Sequence, residues 1–298
     1  MAGGFDIVVV GSLHLDIVVE AQSLPMIDET ARGSSWRMVC GGKGGNQACM
    51  AARLGARTAM ISQVGADDFG QRLLTNLKTC GVDSSAVTTD PKIGSGMSVA
   101  ILNAQGDYGA VIVSGSNLTL RQDQVSAALS KVGKFSVLVL QNEIDEAINI
   151  EAARLAKAAG AKVILNAAPA RAQPAALAAF TDVLVVNRVE AAMMSGLEVN
   201  DAASTIKALS KLKALGREIV ITLGGDGLVV APAQGDPVII APIPIQVAST
   251  HGAGDCFIGQ LALALAQKQN LIEAARAANQ TAAAYVSGKL VMGPQGNG

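Results

Sequence analysis

Short apolar runs alternate along the chain with longer stretches whose apolar residues return every three or four positions. Residues 7–10 close on Gly11-Ser12 and predict a buried strand by their length and Val content. A second strand is predicted at 17–19, followed by turns at Leu24-Pro25 and Gly33-Ser34-Ser35. Residues 40–46 predict a glycine-rich loop, and 47–54 a helix stopped by Gly55. A strand at 58–64 and a helix at 70–80 come next. The rhythm then changes: 97–102 and 110–113 flank Asn103-Ala-Gln-Gly-Asp107 and predict a β-hairpin, the one place where strand follows strand. Alternation resumes with helices at 121–132, 148–159, 174–180, 190–195 and 202–215, and strands at 137–140, 162–165, 183–186 and 218–222. A Gly224-Gly225-Asp226-Gly227 turn follows, and helices at 256–267 and 271–286 complete the pattern.

Such alternation predicts one α/β domain over 1–298, with a mostly parallel central sheet and helices on both faces. Residues of about 13–39 and 96–113 fall outside it and predict a small β-sheet lid.

Composition narrows this picture. Half of the 298 residues are apolar but only 3% are aromatic, so the core is built from Ala, Val, Leu and Ile. A net charge of −1 gives no reason to expect a nucleic acid or an acidic membrane as partner, so an anionic ligand must be held by local groups. The N-terminus lacks the basic and apolar segments of a secretory signal, and no apolar run approaches a bilayer span. Cys40, Cys49, Cys80 and Cys256 show no zinc or disulfide spacing, and free thiols predict the cytoplasm.

Two stretches carry chemistry. Ser249-Thr250-His251-Gly252-Ala253-Gly254-Asp255-Cys256-Phe257 leads into a helix, where unpaired N–H groups and the positive dipole end form an anion site. A carboxylate at Asp255 repels a phosphate there but suits a proton acceptor for an attacking hydroxyl; the same residues also fit a plain glycine-rich turn. Gly41-Gly42-Lys43-Gly44-Gly45-Asn46-Gln47-Ala48 places a cation and an amide among glycines that allow a ligand to approach closely. It is neither a Walker loop nor a dinucleotide fingerprint, and a flexible loop before a helix is the alternative. Cys256, without a His or Asn partner at a suggestive spacing, reads as a buried helix residue.

Taken together, and with Val10-Gly11-Ser12, Asp16, Asn166-Ala-Ala-Pro169-Ala170, Asn187-x-x-Glu190 and Thr222-Leu-Gly224-x-x-Gly227 in order, these stretches resemble the ribokinase-like carbohydrate kinases over essentially the whole chain. The resemblance implies transfer of a phosphoryl group from ATP, with Mg2+, to the primary hydroxyl of a pentose such as D-ribose; a ketohexose, sugar acid or nucleoside is the alternative acceptor, and a non-catalytic sensor the alternative class. It implies Asp255 as the base and the backbone of Gly252, Ala253, Gly254 and Asp255 as the anion hole. His14, Asp16, Gly42, Lys43, Asn46 and Glu143 fall where the family holds the sugar. Asn187, Leu223, Gly225, Gly227, Gly254 and Asn279 fall at the nucleotide, and Glu190 at magnesium through water. The lid is implied to be the interface of a homodimer.

The chain departs from the family at several points. His14 replaces an asparagine that touches the sugar, and Ser249 replaces an aspartate that helps hold a monovalent cation such as K+, leaving Ser249 and His251 as degenerate cation positions. The segment 288–295 differs from the family's cation loop, and the sequence stops soon after Gly293, where the family carries a terminal helix.

Overall fold

The computed structural model describes residues 4–103, 105 and 108–290. The strands, in chain order, are β1 (Phe5–Val10), β2 (His14–Ala21), β3 (Gly33–Gly41), β4 (Thr58–Gly65), β5 (Asp83–Asp90), β6 (Gly96–Leu102), β7 (Tyr108–Val113), β8 (Phe135–Gln141), β9 (Lys162–Asn166), β10 (Val183–Asn187), β11 (Glu218–Thr222), β12 (Leu228–Ala231) and β13 (Val238–Ile240). The helices are α1 (Lys43–Arg53), α2 (Asp68–Thr79), α3 (Gln122–Val132), α4 (Glu146–Ala158), α5 (Ala175–Ala178), α6 (Arg188–Ser195), α7 (Ala202–Leu212), α8 (Ala253–Ala266) and α9 (Leu271–Val286).

Nine strands form the central sheet in the order β13-β12-β11-β10-β9-β8-β1-β4-β5. Pairing is parallel from β5 to β11, and β12 and β13 add an antiparallel edge. The apolar strands alternate their side chains between two cores, as the pleat requires. Ile7, Val9, Val139 and Val185 pack with α1, α2, α8 and α9; Val8, Val10, Leu140 and Val186 pack with α3 to α7. The expected α/β architecture is therefore present, with helices on both faces.

A second sheet, in the order β3-β2-β6-β7, is the small accessory expected at about 13–39 and 96–113. It springs from the core on short joints. Residues 11–13 connect β1 to β2, and only Gly42 separates β3 from α1. Leu13 is pinned at the first joint, because Asn117 accepts from its N–H at 2.9 Å and donates to its carbonyl at 2.9 Å.

Several sequence expectations need correction. Residues 40–46 are not a loop: Cys40 and Gly41 end β3, and α1 begins at Lys43. Glycine's weak helix propensity is overridden because tertiary partners receive this first turn, as described below. Gly33-Ser34-Ser35 is the start of β3, paired with the end of β2 beside a register shift at Glu20/Ala21. Strand also follows strand at β2–β3, β5–β6 and β11–β12–β13, not only at the hairpin. The strand β5 reads as polar because its sequence, Asp-Ser-Ser-Ala-Val-Thr-Thr-Asp, lies on the sheet edge and carries little apolar signal. The hairpin strands are present, while part of the turn between them, and everything after Leu290, including Gly293 and any terminal helix, lie outside the described residues.

Candidate active site

A cavity of about 950 Å³ opens at the C-terminal ends of β9, β10 and β11, under the second sheet. In open α/β sheets this end of the strands is where ligands bind, because the loops there diverge and helices begin there. His14, Asp16 and Val18 of β2, Arg37 and Val39 of β3, and Ser98 and Ala100 of β6 form its roof. Lys43 and Asn46 of α1, Asn166, Asn187, Glu190 and Thr222 form its floor, and residues 249–255 close one side.

Glu143 organises the end near the roof. Its Oε2 accepts from the Ser12 hydroxyl and from the Lys43 N–H at 2.8 Å, so the carboxylate meets the dipole of α1 at its positive end. His14 Nδ1 lies 3.8 Å from the same oxygen. The His14 ring is only 6% exposed, and its Nε2 has no partner among the described residues. Asp16, which lines the cavity, accepts from the Ser98 hydroxyl, and its other oxygen lies against the Gly41 backbone, where a Cβ would meet it. Arg171 holds this region from behind. Its Nη1 donates to the Ile144 carbonyl at 3.1 Å and the Asn142 carbonyl at 3.5 Å, the two residues flanking Glu143.

Asp255 sits in the first turn of α8, facing α1. Its Oδ2 accepts from Asn46 Nδ2 at 3.1 Å and its Oδ1 from Gln47 Nε2 at 3.1 Å. Gln47 also donates to Asn166 Oδ1 at 3.1 Å, tying the end of β9 to both helices. Burial raises the Asp255 pKa, while the Lys43 ammonium and the two amide donors pull it down and Glu143 adds to the rise. A carboxylate whose pKa is raised in this way is a better proton acceptor when ionised than an unperturbed one. Beside it, Gly252 (φ 76) is the N-cap of α8, with no side-chain cap. Ala253 N donates to Thr250 O at 3.2 Å, but among the described residues neither Gly254 N nor Asp255 N has an acceptor. These are two bare amides at a positive helix end, open to the cavity.

The floor holds a further pair. Asn187 accepts from Glu190 N at 2.8 Å, and Glu190 Oε2 accepts from Asn187 N at 2.8 Å, a reciprocal capping box that starts α6. Burial raises the Glu190 pKa, opposed by the bond from Asn187 and by Lys43. One Glu190 oxygen remains for another partner. Among the described residues no group of three or more His, Cys, Asp or Glu side chains is placed to hold a metal ion. The remaining Glu190 oxygen is a donor of the type magnesium takes, since that ion keeps several waters and binds through one or two carboxylates plus substrate phosphates. Ser249 and His251 line the cavity mouth, where the Ser249 hydroxyl accepts from His251 N at 3.3 Å. Neither side chain supplies a carboxylate at this mouth.

Not every expected residue gathers here. Leu223, Gly225, Gly227 and Asn279 do not line the cavity. Leu223 is buried, and Gly227 packs its α-carbon against the 240–242 backbone. Asn279 donates to Ala241 O at 3.2 Å. They form a shelf beyond Thr222, outside the pocket itself. Conversely, Ser12 and Gln47 belonged to motifs but were given no role, and Ser98 and Arg171 escaped sequence reasoning altogether. Gln47 stood within the quoted Gly41–Ala48 stretch, and the helical period from Asn46 would have placed it beside Asp255; Arg171 left no local signal, since its partners lie 27 and 29 residues away.

The sequence profile of pfkB family carbohydrate kinases matches residues 5–295. The chain is 35% identical to a mouse ribokinase over 268 residues, covering 89% of this chain and 83% of that protein. It is 33% identical to a Haemophilus influenzae ribokinase over 282 residues, covering 94% and 92%. The structure of Arabidopsis thaliana ribokinase complexed with ribose and ATP superposes with a TM-score of 0.88 at 29% identity, covering 95% of this chain and 93% of that one.

Proposed function

Because this chain belongs to the pfkB family of carbohydrate kinases, we propose that it transfers the γ-phosphoryl group of ATP to the primary hydroxyl of a pentose such as D-ribose. The observation that carries the reading is the pairing of two bare amides, Gly254 N and Asp255 N, with the amide-held Asp255 carboxylate in the same first turn of α8. Phosphoryl transfer needs in-line positioning and neutralisation of charge more than covalent help. Within the 252–255 backbone, the bare amides of Gly254 and Asp255 receive the migrating group, each such donor being worth about 3 kcal/mol. Asp255 removes the proton from the attacking hydroxyl. His14 and Asp16 of the roof, Lys43 and Asn46 of the floor, and Glu143 between them, all lining the cavity, hold the other sugar hydroxyls. The nucleotide lies along Asn187 and Thr222 toward the shelf of Leu223, Gly225, Gly227 and Asn279. Glu190 would hold magnesium, and the ion would supply neutralising charge for the phosphates when bound.

Two further parts of the reading concern the whole molecule. The outer strand of the roof sheet exposes Val111, Ile112 and Val113, with Trp36 on the other edge strand, and this unpaired apolar edge is covered in a homodimer. No helix of the described residues is long and apolar enough to cross a membrane, and the four free cysteines suit the cytoplasm. The His14 ring, with a ring nitrogen unpartnered at the sugar end, favours a second reading in which the acceptor is a ketohexose, sugar acid or nucleoside. A coupled ADP-release assay across these acceptors decides between them. The fastest turnover is expected on a pentose; turnover on none, with ligands still bound, would leave a sensor in place of a kinase.

A further inference from the structure

Arg188 sits where helix electrostatics disfavours it. It is the first residue of α6, at the positive end of the helix dipole, where a cation costs stability. Its side chain is held by tertiary partners instead. Nη1 donates to the Asn200 carbonyl at 3.1 Å, in the link between α6 and α7. Nη2 donates to the Leu223 carbonyl at 3.1 Å and to the Asp226 carboxylate. One guanidinium thus joins the start of α6, the 200 link and the turn after β11.

The position is a fork. β10 and β11 run parallel and stay paired as far as Asn187 and Thr222, so Arg188 and Leu223 are the first residues on each side after the strands part. Asn187, Glu190 and Thr222 line the cavity floor, but Arg188 does not. The turn at 224–226 is exposed, and a Cβ on Gly224 or Gly225 would meet nothing within 4 Å. Its backbone bonds, Leu223 N to Gly227 O at 2.8 Å and Asp226 N to Leu223 O at 3.3 Å, shape the turn without fixing its distance from α6. Gly227 anchors the far side against the 240–242 backbone. Arg188 is the tie on the near side. The Asp226 side chain is 70% exposed, so its ion pair contributes little, and the two carbonyl bonds from a charged donor contribute more.

We propose that Arg188 is a positioning residue for the nucleotide: by bridging the fork it sets the spacing between Asn187 and the 223–226 turn, and so governs ATP affinity while leaving the sugar end alone. The inference rests on the reading above in which the nucleotide lies along that shelf. A guanidinium suits the task because its planar fork reaches separate carbonyls and a carboxylate at once, whereas a lysine presents a single nitrogen.

The test uses the full chain, with ATP binding followed by titration calorimetry and both KM values measured with a pentose acceptor. Arg188→Met is expected to raise the Kd and KM for ATP about tenfold, with kcat and the sugar KM within about twofold of wild type. Arg188→Lys should recover part of the loss, to about threefold, and Asp226→Asn should change ATP affinity by less than about twofold. Should Arg188→Met fail to fold, Arg188→Lys still decides by the same ratio of KM values. Wild-type ATP affinity in the Arg188 variants would overturn the proposal and leave the kinase reading standing. A rise of both KM values together with a lowered thermal midpoint would also overturn it, making Arg188 merely structural. Wild-type protein that binds ATP but turns over no acceptor would sink the kinase reading alone, and wild-type protein that binds no ATP would sink both.

Discussion

Two helices begin at the same cavity, each on a glycine with positive φ and neither with a side-chain cap: α1 after Gly42 (φ 84) and α8 after Gly252 (φ 76). Their first turns are filled in opposite ways. At α1 the Lys43 N–H goes to Glu143, the Gly45 N–H to Ser12 O at 2.9 Å, and the Asn46 N–H to Gly42 O at 2.9 Å. A Cβ on Gly44 would stand 2.6 Å from Ser12 N. At α8 the amides of Gly254 and Asp255 lack acceptors, and a Cβ on Gly254 would meet nothing within 4 Å. Similar glycine-rich strings thus serve different ends. One lets the chain close on itself, and the other leaves room for something that is not chain.

The sharpest way to probe that difference is Asp255→Asn, which keeps the shape of α8 and removes the base. Its kcat is expected to fall by about 10² to 10⁴-fold while ATP affinity, followed by titration calorimetry, stays near wild type. Equal loss of both would make Asp255 structural. Burial raises this carboxyl's pKa above the ordinary 3.8, so its charge costs stability above the raised value and that cost disappears as pH falls through it. Asp255→Asn is therefore expected to melt higher than wild type at neutral pH. Wild-type turnover, by contrast, should decline on acidification at a higher pH than an unperturbed carboxylate would give.

The two glycines come next. Gly44→Ala is expected to destabilise the fold by about 1–3 kcal/mol, because backbone at Ser12 must move. Gly254→Ala should leave the thermal midpoint unchanged and raise the KM for ATP instead. If the two variants exchanged phenotypes, the contrast between the helix ends would be wrong. Smaller still is Arg171→Met, which releases the carbonyls beside Glu143; the sugar KM should rise about tenfold with kcat nearly kept. Gln47→Leu is expected to cost several-fold in kcat, since Asn46 still holds the Asp255 carboxylate.

The same contrast explains what could be read from the chain alone. Apolar periodicity carried the central sheet and most helices, because strands such as 137–140 and 183–186 are buried on both faces. It failed where residues hold a shape for tertiary reasons. Glycines 41–45 look like a loop, and only Ser12 and Glu143, far along the sequence, make them the end of a strand and the start of a helix. Asn187-x-x-Glu190 was legible only as part of the family resemblance, with a helix from 190, whereas its reciprocal caps start α6 at Arg188. Position 255 alone was ambiguous, since an acidic residue in a first turn is ordinary, and it drew notice only beside the second glycine stretch. The roles of Gln47 and Arg171 were not legible, since an amide or a guanidinium says nothing about its partner until the fold supplies one.

The single residue between β3 and α1 has a mechanical result. With no slack at that joint, a tilt of the roof must turn the start of α1, and with it the amides gripping the carboxylate on α8. A sugar pressing against Asp16 and a nucleotide seated near residue 254 would then feel one another through rigid backbone, without any loop having to carry the message.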